Sequence, residues 1–113
     1  MRIATVAEAV QSLSRSRQSA ILLVTADPMC GNSAFGALSF LPEEAVALLM
    51  NTGSTVIGAT STDEFVRLRD MAVEIEQAFH DQPRLAAEAM LFHSGTLVYR
   101  LTCDGVQPSL LAA

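Results

Sequence analysis

The segment that decides the fold is residues 19–26, Ser-Ala-Ile-Leu-Leu-Val-Thr-Ala, a continuous apolar run flanked by polar residues. A short apolar run without alternation is typical of a strand that is buried on both faces at the centre of a sheet. A central strand needs neighbours on both sides and helices over its faces. The rest of the chain must therefore supply further strands and helices.

Three other segments carry helical signals. A capping-box pattern opens a helix over residues 5–16. Pro42 suits the first position of a second helix, and Gly53 suits the position just after its end. Thr62 can cap a third helix, in which apolar residues recur at steps of three and four until Pro83.

Short strand-like segments lie between and after these helices. Residues 35–40 and 55–59 each predict a strand, and residues 88–92 and 96–103 predict a hairpin whose turn is His93-Ser94-Gly95. The chain contains no internal repeat, low-complexity tract or linker. We therefore expect one α+β domain over residues 1–113, built as a mixed sheet flanked by helices.

Charge and composition exclude several classes of function. The net charge is −5, and all seven cationic residues other than histidine are scattered arginines. Nucleic-acid binding needs a basic face, so we do not expect it. The chain has no lysine, which excludes a Schiff-base lysine and a lysine-dependent P-loop. The mean hydropathy is positive, at +0.35, so we expect some apolar surface to be covered in a homodimer.

The sequence also gives expectations about metals and location. Cys30 and Cys103 are far apart and there are two histidines, so we expect no zinc site and no cofactor. We see no secretion signal and no apolar run of the roughly 20 residues that span a bilayer. A cytoplasmic protein with reduced thiols and no membrane contact is the expectation.

Three stretches together resemble the amino-terminal half of the 3,4-dihydroxy-2-butanone 4-phosphate synthase family. Residues 6–27 (VAEAVQSLSRSRQSAILLVTAD) are similar to the family's opening helix and the strand that ends in aspartate. Residues 41–59 (LPEEAVALLMNTGSTVIGA) are similar to its next helix and strand, and residues 60–73 (TSTDEFVRLRDMAV) to the segment that follows. The likeness fades beyond Glu76. The resemblance implies that family's fold, truncated at the C-terminus.

The family's chemistry depends on an acidic stretch between its first two strands, where carboxylates bind magnesium and help to abstract protons. The corresponding loop here, residues 27–36, contains Asp27 as its only acidic residue. Mg²⁺ prefers anionic oxygen ligands, and proton abstraction beside a carbonyl needs a base and a charge stabiliser. We therefore expect no metal site, and no lyase activity, in this loop.

The same loop still offers candidate ligand-binding residues, namely Asp27, Cys30, Asn32 and Ser33. Open sheets commonly bind ligands beside their strand ends. Asp27, Asn32 and Ser33 equally suit an ordinary turn, because such side chains bond their own backbone. Cys30 equally suits a small loop side chain at the rim of the core, although it could be a thiol nucleophile or redox sensor. We assign no catalytic residue. The prediction is a divergent, non-lyase relative of the synthase that acts as a small-molecule binding, assembly or accessory protein. The alternative is a repurposed, metal-independent enzyme that uses this loop. A third hypothesis is an unrelated α+β interaction module whose likeness to the family is accidental.

Overall fold

The decisive apolar segment forms β2 (Ala20–Ala26), a central strand of a six-stranded sheet. A computed structural model describes residues 2–15, 19–27, 36–82, 87–102 and 105–108. The other elements in these ranges are β1 (Arg2–Ala4), α1 (Val6–Arg15), α2 (Glu43–Thr52), β3 (Ser54–Ala59), α3 (Thr62–Asp81), β4 (Ala87–His93), β5 (Thr96–Thr102) and β6 (Gly105–Pro108).

The strand order is β1-β3-β2-β4-β5-β6, and every pairing between these strands is antiparallel. Leu22 lies opposite Ile57 of β3 and Leu91 of β4, which places β2 between two long neighbours. The expected α+β class with helices flanking a sheet is confirmed. The expectation was a mixed sheet, and in the described strands all five pairings are antiparallel.

Helices cover both faces of the sheet, but unequally. On one face Leu22 and Val24 join the main core with residues of α2 and α3, including the fully buried Leu49 and Ile75. The opposite face carries a smaller cluster in which Ile21 and Val56 meet α1 at Ala9. Because side chains alternate along a strand, an uninterrupted apolar run was required to fill both cores. The prediction that β2 is buried on both faces is confirmed.

Most local signals act as the sequence predicts. The Thr5 hydroxyl accepts a hydrogen bond from the Glu8 amide at 3.2 Å, which caps α1. Gly53 ends α2 in the left-handed region with φ of 80°. Ser94 and Gly95 both have positive φ, at 53° and 80°, as the tight turns of two-residue hairpins require. The apolar stripe of α3 faces the core, where Leu68, Met71, Ala72, Ile75 and Phe79 are all buried.

Several predicted boundaries were wrong. Gly36 is helical and residues 37–40 form turns, so this segment is not a strand. The Ser39 amide donates to the Gly36 carbonyl and the Leu41 amide to the Leu38 carbonyl. Leu38 and Leu41 still enter the core from these turns, which explains the strand-like apolar pattern. Phe35 lies outside the described residues.

Two helix starts also differ from prediction by one position. Pro42 is the N-cap of α2 and not its first helical residue. Ser61, one residue before the predicted Thr62, caps α3 by accepting a hydrogen bond from the Glu64 amide. Both shifts are within the usual ambiguity of helix ends. Ser61 and Thr62 both carry a hydroxyl that suits a cap, whereas Pro42 is the N-cap without any side-chain hydrogen bond. The short edge strands β1 and β6 were not predicted from the sequence.

Candidate functional site

The predicted ligand-binding loop begins at Asp27, directly after the last residue of β2. Asp27 is exposed, and the neighbouring Ala26 amide is bonded to the Gly53 carbonyl at 2.9 Å. Cys30, Asn32 and Ser33 lie outside the described residues, and so does Cys103. The grouping of these side chains therefore stays a prediction. Among the described residues no three His, Cys, Asp or Glu side chains come together in a way that could hold a metal ion.

A pocket lies at the opposite end of β2, between α1 and the sheet. It has a volume of about 90 Å³ and opens to solvent. Ser19 comes immediately before β2 and Asp27 immediately after it, so the two ends are roughly 25 Å apart at about 3.3 Å per residue. We call this cavity the Ser19 pocket, and its lining residues are Arg2, Ala4, Ala9, Ser12, Ser19, Ala20, Ile21, Val56, Gly58, Ala59, Thr60 and Glu64.

The Ser19 pocket exists because small side chains meet there from four elements. Ala4 comes from β1, Ala9 from α1, Ala20 from β2 and Gly58 from β3. A larger side chain at Ala4, Ala9 or Gly58 would reach into the same space, whereas the Ala20 side chain lies in the main core on the other face of the sheet. A methyl group built on Gly58 would lie 3.6 Å from the Arg2 carbonyl oxygen, which is ordinary van der Waals contact. The Ser19 pocket therefore exists because the side chains that line it are small, and the backbone at Gly58 would also accept a larger residue.

The Ser19 hydroxyl is the unusual group of this pocket. Ser19 is only 7% exposed, and its Oγ has no hydrogen-bond partner within the described ranges. The backbone of Ser19 is hydrogen-bonded, because its carbonyl accepts from the Ser94 amide at 2.9 Å. A buried hydroxyl without a partner destabilises a fold by roughly 1–3 kcal/mol. Ser19 therefore offers a hydrogen bond that a molecule in the pocket could complete.

Charged and hydroxyl groups surround the mouth of the pocket. Arg2 forms an ion pair with Glu8 at 2.9 Å between Nη2 and Oε2, and both side chains are largely exposed. On the other side, the Ser61 hydroxyl donates to Glu64 Oε1 at 3.2 Å. The pocket is thus apolar inside, apart from Ser19 and Ser12, and polar at its rim.

A second cleft lies at the same end of the sheet but on the face covered by α3. It has a volume of about 470 Å³ and includes Ala20, Ala59, the three residues at 60–62, Phe65 and His93. His93 was predicted in the hairpin turn; it is the last residue of β4, and its ring stacks on Phe65 with centroids 4.6 Å apart. The Ser61 hydroxyl is already used in capping α3. The Ser19 pocket, with its unmatched buried hydroxyl, is the better candidate site.

Sequence reasoning did not find the Ser19 pocket. Ser19 was assigned only as the first residue of the central strand, and the alanines that line the cavity are ordinary residues in their own elements. The one local signal was the Ser61-x-x-Glu64 spacing, which marks a capping box beside the rim. The pocket depends on β1 pairing with β3, and that long-range contact has no local signature.

Comparisons of this chain with protein-family models, with curated proteins and with solved structures give no match in any of the three. Within the described residues no helix is both long and apolar enough to cross a membrane.

Proposed function

We propose that this chain is a small-molecule-binding protein whose ligand fills the Ser19 pocket. The single observation that carries the proposal is the Ser19 hydroxyl, which is buried in the cavity wall and has no hydrogen-bond partner among the residues that the structure describes. Apolar walls with a few placed polar groups are the usual composition of small-ligand sites, in which the polar groups fix orientation. A ligand hydroxyl or carbonyl bonded to Ser19 would remove the unfavourable burial of that group.

The volume sets the size and affinity of the ligand. A cavity of about 150 Å³ accepts benzene, so the 90 Å³ here suits a group of about four non-hydrogen atoms. The best small ligands gain about 1.5 kcal/mol per non-hydrogen atom, which gives about 6 kcal/mol and a Kd no tighter than tens of micromolar. We expect millimolar affinity for simple fragments, with any larger ligand extending past the rim at Arg2 and Glu64.

The environment of Ser19 favours binding over catalysis. A serine becomes a nucleophile when a nearby base takes its proton. Ser19 Oγ has no hydrogen-bond partner in the described part of the chain, and His93 shares its sheet face with Ala20 rather than with Ser19. The hydroxyl is therefore suited to recognise a ligand and not to attack one.

The proposal retains two expectations from the sequence. We infer from the three stretches that resemble the dihydroxybutanone phosphate synthase family that the chain is a divergent relative of it. In this proposal the protein is cytoplasmic, has a binding or assembly role and lacks lyase activity. We also infer a homodimer, supported by the mean hydropathy of +0.35 and by exposed Val66, Val73 and Tyr99. The inferred loss of the family's magnesium-dependent lyase activity is tested by a calorimetric magnesium titration in the presence of ribulose 5-phosphate. Clear binding heat would contradict it.

The alternative is a repurposed enzyme whose loop at residues 27–36 carries the reaction. Its supporting observation is that exposed Asp27 directly follows a strand end, beside Cys30, Asn32 and Ser33 in sequence. A catalytic cysteine has a lowered pKa and reacts quickly as the thiolate. If Cys30 reacts with a thiol probe much faster than Cys103 at neutral pH, this alternative gains over simple binding.

The binding proposal is tested by titrating isotopically labelled protein with isobutanol and following the amide signals by NMR. Isobutanol combines a short branched body with one hydroxyl, which matches the pocket. We expect saturable shifts concentrated at Ser19, Ile21, Val56 and Gly58. Shifts that do not saturate, or that centre on residues near Asp27, would contradict the proposed site.

The variant Gly58→Ala tests whether the cavity itself is needed. Its methyl group has room beside Arg2 and occupies part of the pocket. Replacing a strand glycine by alanine commonly stabilises by about 0.4–1 kcal/mol where the backbone permits it. We therefore expect a folded, equally stable or more stable protein with weaker isobutanol binding. Unchanged affinity in this variant would place the ligand elsewhere.

A further inference from the structure

A groove runs along α3 on the side that faces β5. It has a volume of about 260 Å³. Its helix side consists of Arg69, Ala72, Val73 and Glu76, and its sheet side of Leu91, Tyr99 and Leu101. Val73 is 64% exposed and Tyr99 is 38% exposed, so apolar side chains at the groove are open to solvent. Val66, one heptad before Val73, is 43% exposed and extends the same face.

The groove residues of α3 are arranged symmetrically about the point midway between Ala72 and Val73. Arg69 and Glu76 are equidistant from that point, one on each side. If a second copy of α3 ran antiparallel alongside the first, Arg69 of each copy would face Glu76 of the other. Val73 of each copy would face Ala72 of the other. A two-fold interface is self-complementary in this way, because each contact occurs twice.

We propose that this groove is the self-association surface of the protein, occupied by α3 of a second copy. The charges favour that occupant, since the opposite charges of Arg69 and Glu76 lie at equal distances on either side of the symmetry point, beside the exposed Val73. Arg69 and Glu76 of one helix are seven residues and about 10 Å apart, so they do not pair with each other. In the proposed dimer each would pair with the opposite charge on the second copy. The 20 residues of α3 span about 30 Å, so two antiparallel copies can meet along several turns of the helix.

This inference rests on the homodimer of the proposed function, but it is independent of ligand binding. Ser19 lies on the sheet face covered by α1, whereas the groove lies on the face covered by α3. Variants of the groove can therefore be tested without touching the pocket.

The test is sedimentation equilibrium of the full chain over micromolar to millimolar concentration, with three kinds of variant. We expect the wild type to dimerise and Val73→Glu to weaken dimerisation by about tenfold or more, because a charge is buried twice. Val10→Glu is the matched control, since Val10 is a similarly exposed helical valine on α1, at 59%, and should change nothing.

The charge pair gives the sharper result. Arg69→Glu alone and Glu76→Arg alone should each weaken dimerisation, because like charges then face each other. The double variant Arg69→Glu/Glu76→Arg should restore it, because the pairing is rebuilt with reversed sign. A dimer that tolerates Val73→Glu, or a double variant that stays as weak as the singles, would overturn this surface while leaving the homodimer. A wild type that is monomeric at millimolar concentration would overturn both.

Discussion

Two hydroxyl groups in the interior lack hydrogen-bond partners within the described residues, Ser19 and Thr55. They differ in their surroundings. Thr55 is completely buried and lies on the core face of β3, opposite Val24, whereas Ser19 lines an open pocket. The missing hydrogen bond at Ser19 therefore has a proposed role in ligand binding, whereas the one at Thr55 has none. This contrast makes Thr55 a natural control for Ser19.

Thr55→Val removes an unmatched hydroxyl from the core with little change in shape. We expect the free energy of unfolding to rise by about 1 kcal/mol, because the buried oxygen no longer lacks a partner. Urea unfolding followed by circular dichroism measures the change. A loss of stability of similar size would mean that the hydroxyl is bonded in solution.

Ser19→Ala should also leave stability unchanged or raise it by up to about 1 kcal/mol, for the same reason. The same urea experiment checks it. A substantial loss would show that Ser19 already has a partner in the free protein, and that the proposed function lacks its basis.

At the level of elements, the contact between the hairpin and α1 depends on one glycine. Gly95 has φ of 80°, and a methyl group there would lie 3.2 Å from the Leu13 carbonyl oxygen. Gly95→Ala therefore combines backbone strain with a tight contact. We expect a loss of stability of about 1–2 kcal/mol in thermal or urea unfolding.

Gly36→Ala is the control for this prediction, because a methyl group there meets nothing within 4 Å. It should change the free energy of unfolding by no more than about 0.5 kcal/mol. Equal effects of the two substitutions would contradict the close approach of the hairpin turn to α1.

Elements with complete local signals could be predicted from the sequence. β2 is marked by its apolar run, α3 by its stripe and the hairpin by Ser94-Gly95. The edge strands could not. β1 has only three residues and depends on pairing with β3, more than 50 residues away. β6 has only four residues, too few for a strand pattern, and pairs with β5 directly before it in the chain. The turns at residues 37–40 have the apolar pattern of a strand, because Leu38 and the following Leu41 are buried and enter the core as strand residues would.

At the scale of the whole molecule, the candidate site could not be read from the sequence. Its lining comes from β1, α1, β2, β3 and the start of α3, which meet only after the sheet has formed. The predicted loop after Asp27 lies at the opposite end of β2, and most of it is outside the described residues. The strand order β1-β3-β2-β4 decides which small residues become neighbours, and strand order has no local signal.

The most direct test of the account is the isobutanol affinity of Ser19→Ala, compared with that of the wild type and Thr55→Val. Losing one hydrogen bond of about 1 kcal/mol should weaken binding about fivefold in Ser19→Ala. Thr55→Val, altered in the core away from the pocket, should bind as the wild type does. If Ser19→Ala binds isobutanol with wild-type affinity, the Ser19 hydroxyl does not recognise the ligand and the proposed function is wrong.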